Sequence, residues 1–246
     1  SKDKTVEIAD AYQKQYPDLV KVIHKENGGH GSGVNAGLAC ARGVYFKVVD
    51  SDDWLDGTAY QKLLEKIRYY CKEAGGGEEK PDLFVCNYVY NHLEQQITRS
   101  MGYGNVFPAE KICHWSETGH FLPSQYLVMH ALVYRTEILR QSGIVLPEHT
   151  FYVDNLFAYC PLPYVRNIFY MDIDLYQYYL GRDDQSVNEQ MLKKRIDQQM
   201  KVTRMVIAGA DLTKIKEKEP KLASYMYRNI SIMMAISSIH LLLIGK

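Results

Sequence analysis

The first third of the chain alternates between helix-like and strand-like spacing of its apolar residues. Apolar positions at helical spacing predict a helix over about 3–16, and β-branched residues predict a strand over about 20–25. After a glycine-rich loop, the same patterns predict a helix at 34–42, a strand at 44–50 and a helix at 57–73. This order of elements predicts a parallel sheet with crossover helices, which is an α/β fold.

The middle of the chain has the pattern of strands joined by loops. A strand at 82–90 is followed by a partner at 96–101, and together they predict a hairpin. Further strands are predicted at 131–134 and 167–179. Because hairpins pair antiparallel strands, we expect the complete sheet to be mixed.

The end of the chain has the pattern of helices, which we place at 188–209 and 220–243. We therefore divide the sequence into a core at 1–187 and a helical extension at 188–246. The longest apolar stretch, 230–244, is shorter than the roughly 20 residues that a membrane span needs, and polar residues interrupt it. We interpret it as a core or interface helix. Peripheral contact with a membrane surface is the open alternative, because many lysines and arginines precede it.

Charge and cysteine content exclude several classes of protein. The 246 residues carry a formal net charge of +0, so a strong electrostatic attraction to nucleic acid is not expected. The 5 cysteines are odd in number and have no CxxC spacing, which argues against a zinc or disulfide framework. Reduced core thiols of this kind are typical of a cytosolic protein.

Three carboxylates follow the apolar run of the second predicted strand, at Asp50, Asp52 and Asp53. Open α/β sheets bind their ligands at the carboxyl ends of strands, so this position favours a binding site. Carboxylates at this density repel one another unless a cation neutralises them, and oxygen ligands suit Mg²⁺ or Mn²⁺ held together with phosphates. The alternative is an idle acidic turn in a purely structural unit, with Asp56 or Thr58 as the N-cap of the next helix.

The glycine-rich loop at 27–37 leaves a second enzyme class open. It is not a P-loop, because Val34 stands where the lysine would be. It does match the dinucleotide pattern Gly31-x-Gly33-x-x-Ala36, and Asp50 follows at the end of the next strand, where a ribose-binding acid belongs. An NAD-dependent dehydrogenase is therefore an alternative. Against it, the loop does not begin directly after its strand, and a ribose needs only one carboxylate.

Several segments taken together resemble the family 2 glycosyltransferases, which have the GT-A fold. The matching segments are Ser1–Thr5, Asn27–Gly37, Ala41–Gly43, Asp50–Trp54, Val133–Leu139 and Tyr152–Phe157. The resemblance implies a mixed sheet flanked by helices over about 1–187, followed by a helical appendage. It also implies that the first strands of the fold lie upstream of this sequence. We therefore expect the fragment alone to bind nucleotide weakly or not at all.

The resemblance further implies a metal-dependent hexosyltransferase. Such an enzyme moves a sugar from a nucleotide-diphosphate sugar, here expected to be a UDP-sugar, to an acceptor hydroxyl with inversion. Asp50-Ser51-Asp52 would be the family's DxD motif, in which Asp52 ligates Mg²⁺ or Mn²⁺. Asp50 would contact the ribose or the metal shell, and Asp53 would lie near the donor sugar.

The resemblance also assigns a catalytic base. In the family this base is the aspartate of a Glu-Asp pair that opens a helix, and here Val153 replaces the glutamate, so only Asp154 carries over. The competing interpretation is that Asp154 merely caps its helix.

Further donor-binding residues are expected at Asn35 and Gly37 in the glycine-rich segment and at Arg182 after the last core strand, where Arg182 could meet a phosphate. The histidines near these segments, His30, His130 and His149, are interpreted as structural, with a contact between His130 and the sugar or the acceptor as the open alternative. The family setting implies a carbohydrate or glycolipid acceptor in bacterial surface polysaccharide or glycolipid synthesis. The expected location is the cytoplasm, at the inner face of the membrane.

Overall fold

The computed structural model describes residues 3–73, 80–92, 95–123, 125–181 and 193–245. The α-helices of this part of the chain are α1 (Thr5–Gln15), α2 (Gly29–Cys40), α3 (Gly57–Arg68), α4 (Thr136–Gln141), α5 (Asp154–Tyr159), α6 (Ile196–Ala208), α7 (Leu212–Lys218) and α8 (Pro220–Leu243). The strands are β1 (Tyr45–Phe46), β2 (Trp54–Leu55), β3 (Leu83–His92), β4 (Ile97–Met101), β5 (Ile112–Cys113), β6 (Leu132–Arg135) and β7 (Ile168–Leu180).

The strands of the described residues form one 7-stranded mixed sheet in the order β1-β6-β3-β7-β2, with β4 on β3 and β5 on β7. The mixed sheet that we predicted is therefore confirmed. Its parallel pair is β3 with β7 at the centre, whereas β1 and β2 pair antiparallel with β6 and β7. The parallel pairing predicted for the first third of the chain is wrong, because both short strands there add to strands from later in the sequence.

The central strand β3 is buried on both faces, and its alternating side chains feed two hydrophobic clusters. Leu83 and Val85 belong to the larger cluster, whereas Phe84 and Cys86 belong to a smaller one beneath α3. Such burial explains why the strand is a nearly continuous apolar run. The two clusters fix the sheet from both sides and hold its carboxyl edge in place.

The strand predicted at 20–25 does not form within the described residues. A strand needs a neighbouring strand to pair its backbone groups, and this segment has none there. Instead, the backbone N–H of Val22 donates to Gln13 Oε1 at 2.6 Å, so the side chain of α1 replaces a ladder bond. The prediction failed because propensity alone does not supply a partner.

Helix boundaries differ from the predicted ones where glycine is involved. Helix α2 begins at Gly29 rather than at 34, although Gly31 and Gly33 are poor helix formers. A Cβ on Gly31 would stand 2.9 Å from the Leu146 Cβ. Glycine at this position therefore allows α2 to pack closely against Leu146. Helix α3 is capped as predicted, because Asp56 accepts a hydrogen bond from the Ala59 N–H at 2.8 Å.

The helices at the end of the chain pack against the sheet domain. Val202 and Val206 of α6 and Met226 and Met233 of α8 lie in the larger hydrophobic cluster together with sheet residues. The Leu127 backbone N–H donates to the hydroxyl of Tyr225 on α8 at 2.9 Å. The boundary that we predicted between 187 and 188 lies outside the described residues.

Helix α8 is buried on one side only. Among the described residues, α8 is the one helix that is long and apolar enough to cross a membrane. Its mean hydropathy is 1.2, and 28% of its most apolar 18-residue stretch is buried. Met234, Ile239, Leu242 and Leu243 on its other side are exposed. One face of the helix therefore packs against the core, and the other face is apolar and exposed to solvent.

Asp82 holds the start of β3 to its neighbours, and we expect its removal to destabilise the fold. Its carboxylate accepts hydrogen bonds from the backbone N–H groups of Arg166 and Asn167 at 2.8 and 3.0 Å and pairs with Arg135 at 2.9 Å. Since Asp82 is 4% exposed, Asp82→Ala leaves buried donors unpaired and should cost on the order of 3 kcal/mol of unfolding free energy.

Urea unfolding of this variant measures the loss. The matched control is Asp10→Ala, which breaks the exposed pair with His24 and should cost less than about 1 kcal/mol. Equal midpoints for both variants would contradict the structural role of Asp82.

Candidate functional site

The acidic turn lies between β1 and β2, and two of its carboxylates are held by specific partners. Asp50 Oδ1 lies 2.9 Å from His30 Nε2. Asp53 accepts hydrogen bonds from the Tyr176 hydroxyl at 2.6 Å and from the Tyr179 N–H at 2.9 Å. Asp52, between them, is exposed. The turn is therefore fixed to the edge of β7 and to the start of α2.

His130 completes this end of the site. Its ring stacks between Tyr176 and Tyr178, with centroids 4.5 and 4.7 Å away. Its backbone carbonyl accepts a hydrogen bond from Lys47 Nζ at 2.7 Å. Nδ1 is buried and has no hydrogen-bond partner among the described residues. The ring orientation is thus set by the two tyrosines and not by a bond to its own nitrogen.

Asp50, Asp53 and His130 form a cluster that could hold a metal ion. Their ligand atoms lie within 4.8 Å of one another. In octahedral coordination with bonds of about 2.1 Å, neighbouring ligands are roughly 3 Å apart and opposite ligands roughly 4.2 Å apart, so small side-chain movements suffice. Carboxylate oxygen and imidazole nitrogen are ligands of Mn²⁺ and related ions. One ring nitrogen of His130 and one oxygen from each carboxylate therefore fit a cation.

The surroundings separate the protonation states of this cluster. Burial lowers the pKa of His130 to about 4, so its imidazole is neutral at pH 7. Burial raises the pKa of Asp53 to about 6 despite its hydrogen bonds. Burial also pushes the pKa of Asp50 upward, but the hydrogen bond and charge of His30 outweigh it and lower that pKa. In return, the hydrogen bond that His30 donates to Asp50 raises the pKa of His30.

A pocket of about 670 Å³ opens beside this cluster. Asp50, Asp52 and His130 line one end, and Asp154 lines the same pocket. The charge of Asp154 affects the pKa of His30 on one side and those of Tyr126 and Tyr152 on the other. Asp154 is therefore close enough to His30, the partner of Asp50, for their charges to interact.

Asp154 is the first residue of α5, but it does not cap that helix. Val153 occupies the N-cap position, and no side-chain capping bond forms. Burial raises the pKa of Asp154, while the charge of His30 partly offsets the rise. The preceding Tyr152 has a φ of 65°, a strained conformation for a bulky residue, and such strain is common at functional sites. Asp154 therefore does not occupy the N-cap position, and its role as the base stays a prediction.

Other residues expected to bind the donor lie elsewhere. Asn35 exchanges two hydrogen bonds with the backbone of Leu146, at 2.8 and 3.0 Å, and so fastens α2 to the loop before α5. Gly37 faces the ring of Phe46. Neither residue lines the pocket. Their role in donor binding stays a prediction that this geometry does not support, and Arg182 lies outside the described residues.

The histidines that we interpreted as structural all line the pocket. His30 comes from the start of α2, His130 from the segment before β6 and His149 from the loop before α5. No sequence motif marks them, because their partners are distant in the chain. The one signal available was that each lies within a few residues of a segment matching the family.

The structure argues against the dinucleotide-binding alternative. Gly31 and Gly33 lie inside α2 and not in the turn between a strand and a helix, and the described residues before Gly28 form no strand. The fingerprint requires that turn to place a pyrophosphate at the helix N-terminus. Gly31 instead allows α2 to pack closely against Leu146.

Comparison with known proteins agrees with the geometry. Residues 1–77 match the sequence profile of Glycosyl transferase family 2. This part of the chain resembles the family 2 glycosyltransferases. Among curated relatives, the putative glycosyltransferase EpsH of Bacillus subtilis (strain 168) is 26% identical over 183 residues, which is 72% of this chain and 49% of EpsH. Glycosyltransferase GlyG of Streptococcus pneumoniae serotype 4 (strain ATCC BAA-334 / TIGR4) is 34% identical over 95 residues, 38% of this chain and 28% of GlyG.

Solved structures show the fold of this chain. S. aureus TarS 1–349, crystallised in complex with UDP-GlcNAc, superposes with a TM-score of 0.60 at 20% identity, covering 94% of this chain and 61% of that one. The complex of TarS 1–349 with UDP gives a TM-score of 0.59. The GT-A fold predicted from the sequence is confirmed. The chain spans about half the length of EpsH.

Proposed function

We propose that this chain carries the catalytic site of an inverting, cation-dependent glycosyltransferase that moves a hexose from a UDP-sugar to an acceptor hydroxyl. The observation that carries the proposal is that Asp50 and Asp154 line one pocket, with His30 bonded to the first and near the second. The resemblance to family 2 and the UDP-GlcNAc complex of TarS support the choice of donor.

The acidic end would receive the donor diphosphate. Asp50, Asp53 and His130 would hold Mg²⁺ or Mn²⁺, which when bound offsets the negative charge that develops on the departing diphosphate. His30 holds the Asp50 carboxylate in one orientation through their 2.9 Å hydrogen bond. The two tyrosines that stack on His130 keep its unpaired nitrogen in place, so the site is organised before the donor arrives.

Asp154 would act as the base on the acceptor side. The acceptor oxygen forms a bond to the anomeric carbon while the bond from that carbon to the diphosphate oxygen breaks. The hydroxyl proton passes to a carboxylate oxygen of Asp154. Attack from the face opposite the leaving group inverts the anomeric centre. The raised pKa of Asp154 makes its carboxylate a better proton acceptor than an exposed aspartate.

The proposed setting is the cytoplasm at the inner face of the membrane, in surface polysaccharide or glycolipid synthesis. The exposed apolar side of α8, with Leu242 78% exposed, supports a peripheral membrane contact. Co-sedimentation with vesicles that contain anionic lipid tests this part. Leu242→Ser should lower the bound fraction if the helix contacts lipid.

The reaction itself is tested by following UDP release from UDP-GlcNAc and other UDP-sugars with the full-length protein. We expect release that needs Mn²⁺ or Mg²⁺ and stops when EDTA removes the cation. Adding Mn²⁺ back in excess of EDTA should restore it. Absence of both UDP binding and UDP release across the UDP-sugars, in a folded full-length protein, would contradict the proposal.

Substitutions of Asp52 and Asp53 are expected to affect cation binding to different extents. The family resemblance assigns a metal-ligating role to Asp52, whereas the structure groups Asp53 with Asp50 and His130. We expect Asp53→Asn to weaken Mn²⁺ binding by at least about tenfold, and Asp52→Asn to weaken it by less than about threefold. Titration of Mn²⁺ followed by electron paramagnetic resonance measures both. A larger loss of Mn²⁺ affinity in Asp52→Asn than in Asp53→Asn would indicate that Asp52 is the metal ligand.

A further inference from the structure

The end of the pocket away from the acidic turn is largely apolar. It is formed by the loop at 126–129, by Tyr152 and by one face of α8, where Ile232, Met233 and Ile236 point into it. These α8 positions follow helical spacing, so they share one side of the helix. Met233 belongs to the larger hydrophobic cluster, whereas Ile232 and Ile236 are partly exposed and present apolar surface to the pocket.

Two buried polar atoms at this end lack partners. Asn229, which is 8% exposed, lines the pocket, and its Oδ1 has no hydrogen-bond partner among the described residues. The hydroxyl of Tyr152 is buried and also has no partner there. Buried polar atoms in folded proteins are nearly always paired, so this carboxamide oxygen is free to accept a hydrogen bond from a ligand or a water molecule.

The charges of the pocket limit the class of ligand. The acidic side chains Asp50, Asp52 and Asp154 line it, and no lysine or arginine is among the described lining residues. A phosphodiester polymer or another polyanion would meet this negative charge without a paired cation. A neutral ligand avoids that repulsion.

We propose that this end of the pocket binds the acceptor, and that the acceptor is a neutral glycoside with an apolar aglycone. Its hydroxyls pair with Asn229 and Tyr152, its apolar group lies against Ile232 and Ile236, and its reacting hydroxyl reaches Asp154. The assignment as acceptor rests on the proposed function, whereas binding of the glycoside can be measured without any reaction.

The test compares methyl and octyl β-D-glucopyranoside, both below the micelle concentration, in calorimetric titrations of the full-length protein. Each buried methylene strengthens binding by a factor of about 4, so octyl glucoside should bind at least about tenfold more tightly than methyl glucoside. Ile236→Ser should lower the octyl affinity by at least about fivefold and leave the methyl affinity unchanged. Ile239→Ser is the matched control, because Ile239 lies on the same helix, is 54% exposed and does not line the pocket.

The outcomes separate the two proposals. Equal affinities for the two glucosides would overturn the apolar subsite. Equal losses of octyl glucoside affinity in Ile236→Ser and Ile239→Ser would also overturn it, since the octyl group would then bind the outer face of α8. If Ile236→Ser does not fold, Ile232→Ser replaces it. Mn²⁺-dependent UDP binding is measured in parallel, and its presence without octyl preference refutes this inference while leaving the transferase proposal intact.

Discussion

Replacing Asp154 by asparagine is expected to lower turnover by about 10²–10⁴-fold, the usual contribution of general-base catalysis. The amide keeps the size of the carboxylate but does not accept the proton of the acceptor hydroxyl. Because Asp154 makes no capping bond, the helix that it opens should keep its stability. Initial rates of UDP release with saturating donor and acceptor measure the change.

Donor binding separates this effect from a general loss of structure. Mn²⁺-dependent UDP affinity should stay within about threefold of the unmodified protein in Asp154→Asn, because a change that acts only in the transition state leaves ground-state binding unchanged. A melting temperature near that of the unmodified protein completes the control. Full turnover in the variant would remove Asp154 from the mechanism.

Asp50→Asn should weaken Mn²⁺ binding by at least about 100-fold, since loss of even an outer-shell partner of a metal ligand costs 10–100-fold. The substitution removes a negative charge from the cluster and leaves His30 without its ionic partner. The readout is Mn²⁺ affinity by electron paramagnetic resonance, which does not require turnover. Loss of cation-dependent UDP binding should accompany it.

The chain offers a matched control for this charge change. Asp56→Asn alters a carboxylate six positions away that caps α3 and does not line the pocket. Asparagine caps helices about as well as aspartate, so stability and Mn²⁺ affinity should both stay close to their original values. If Asp50→Asn and Asp56→Asn behave alike, the acidic turn does not bind a cation.

Sequence reasoning located the acidic turn and Asp154 because each is marked by its immediate neighbours. A β-branched run before Asp50 and a short helix after Asp154 are local patterns, and their order along the chain is specific to the family. The structure places both residues in one pocket, as a shared site requires.

His130 shows why the rest could not be predicted. Its importance depends on Tyr176 and Tyr178, which come more than forty positions later and stack on its ring. Its unpaired nitrogen results from burial, which no spacing pattern reports. Asn35 shows the opposite case, because a residue predicted to contact the donor exchanges hydrogen bonds with the backbone of Leu146, and its role in donor binding stays a prediction.

The pairing of β3 with β7 has a consequence for how the chain folds. Paired residues of the two strands, such as Leu83 and Ile168, lie far apart in the sequence. Forming this pair therefore closes a long loop, and the entropic cost of closing it comes before the stabilising contacts. Topologies with such distant pairings fold slowly. During synthesis β4 and β6 become available to β3 before β7 does, and the edge that β7 later covers stays open to other chains until residues 168–180 arrive.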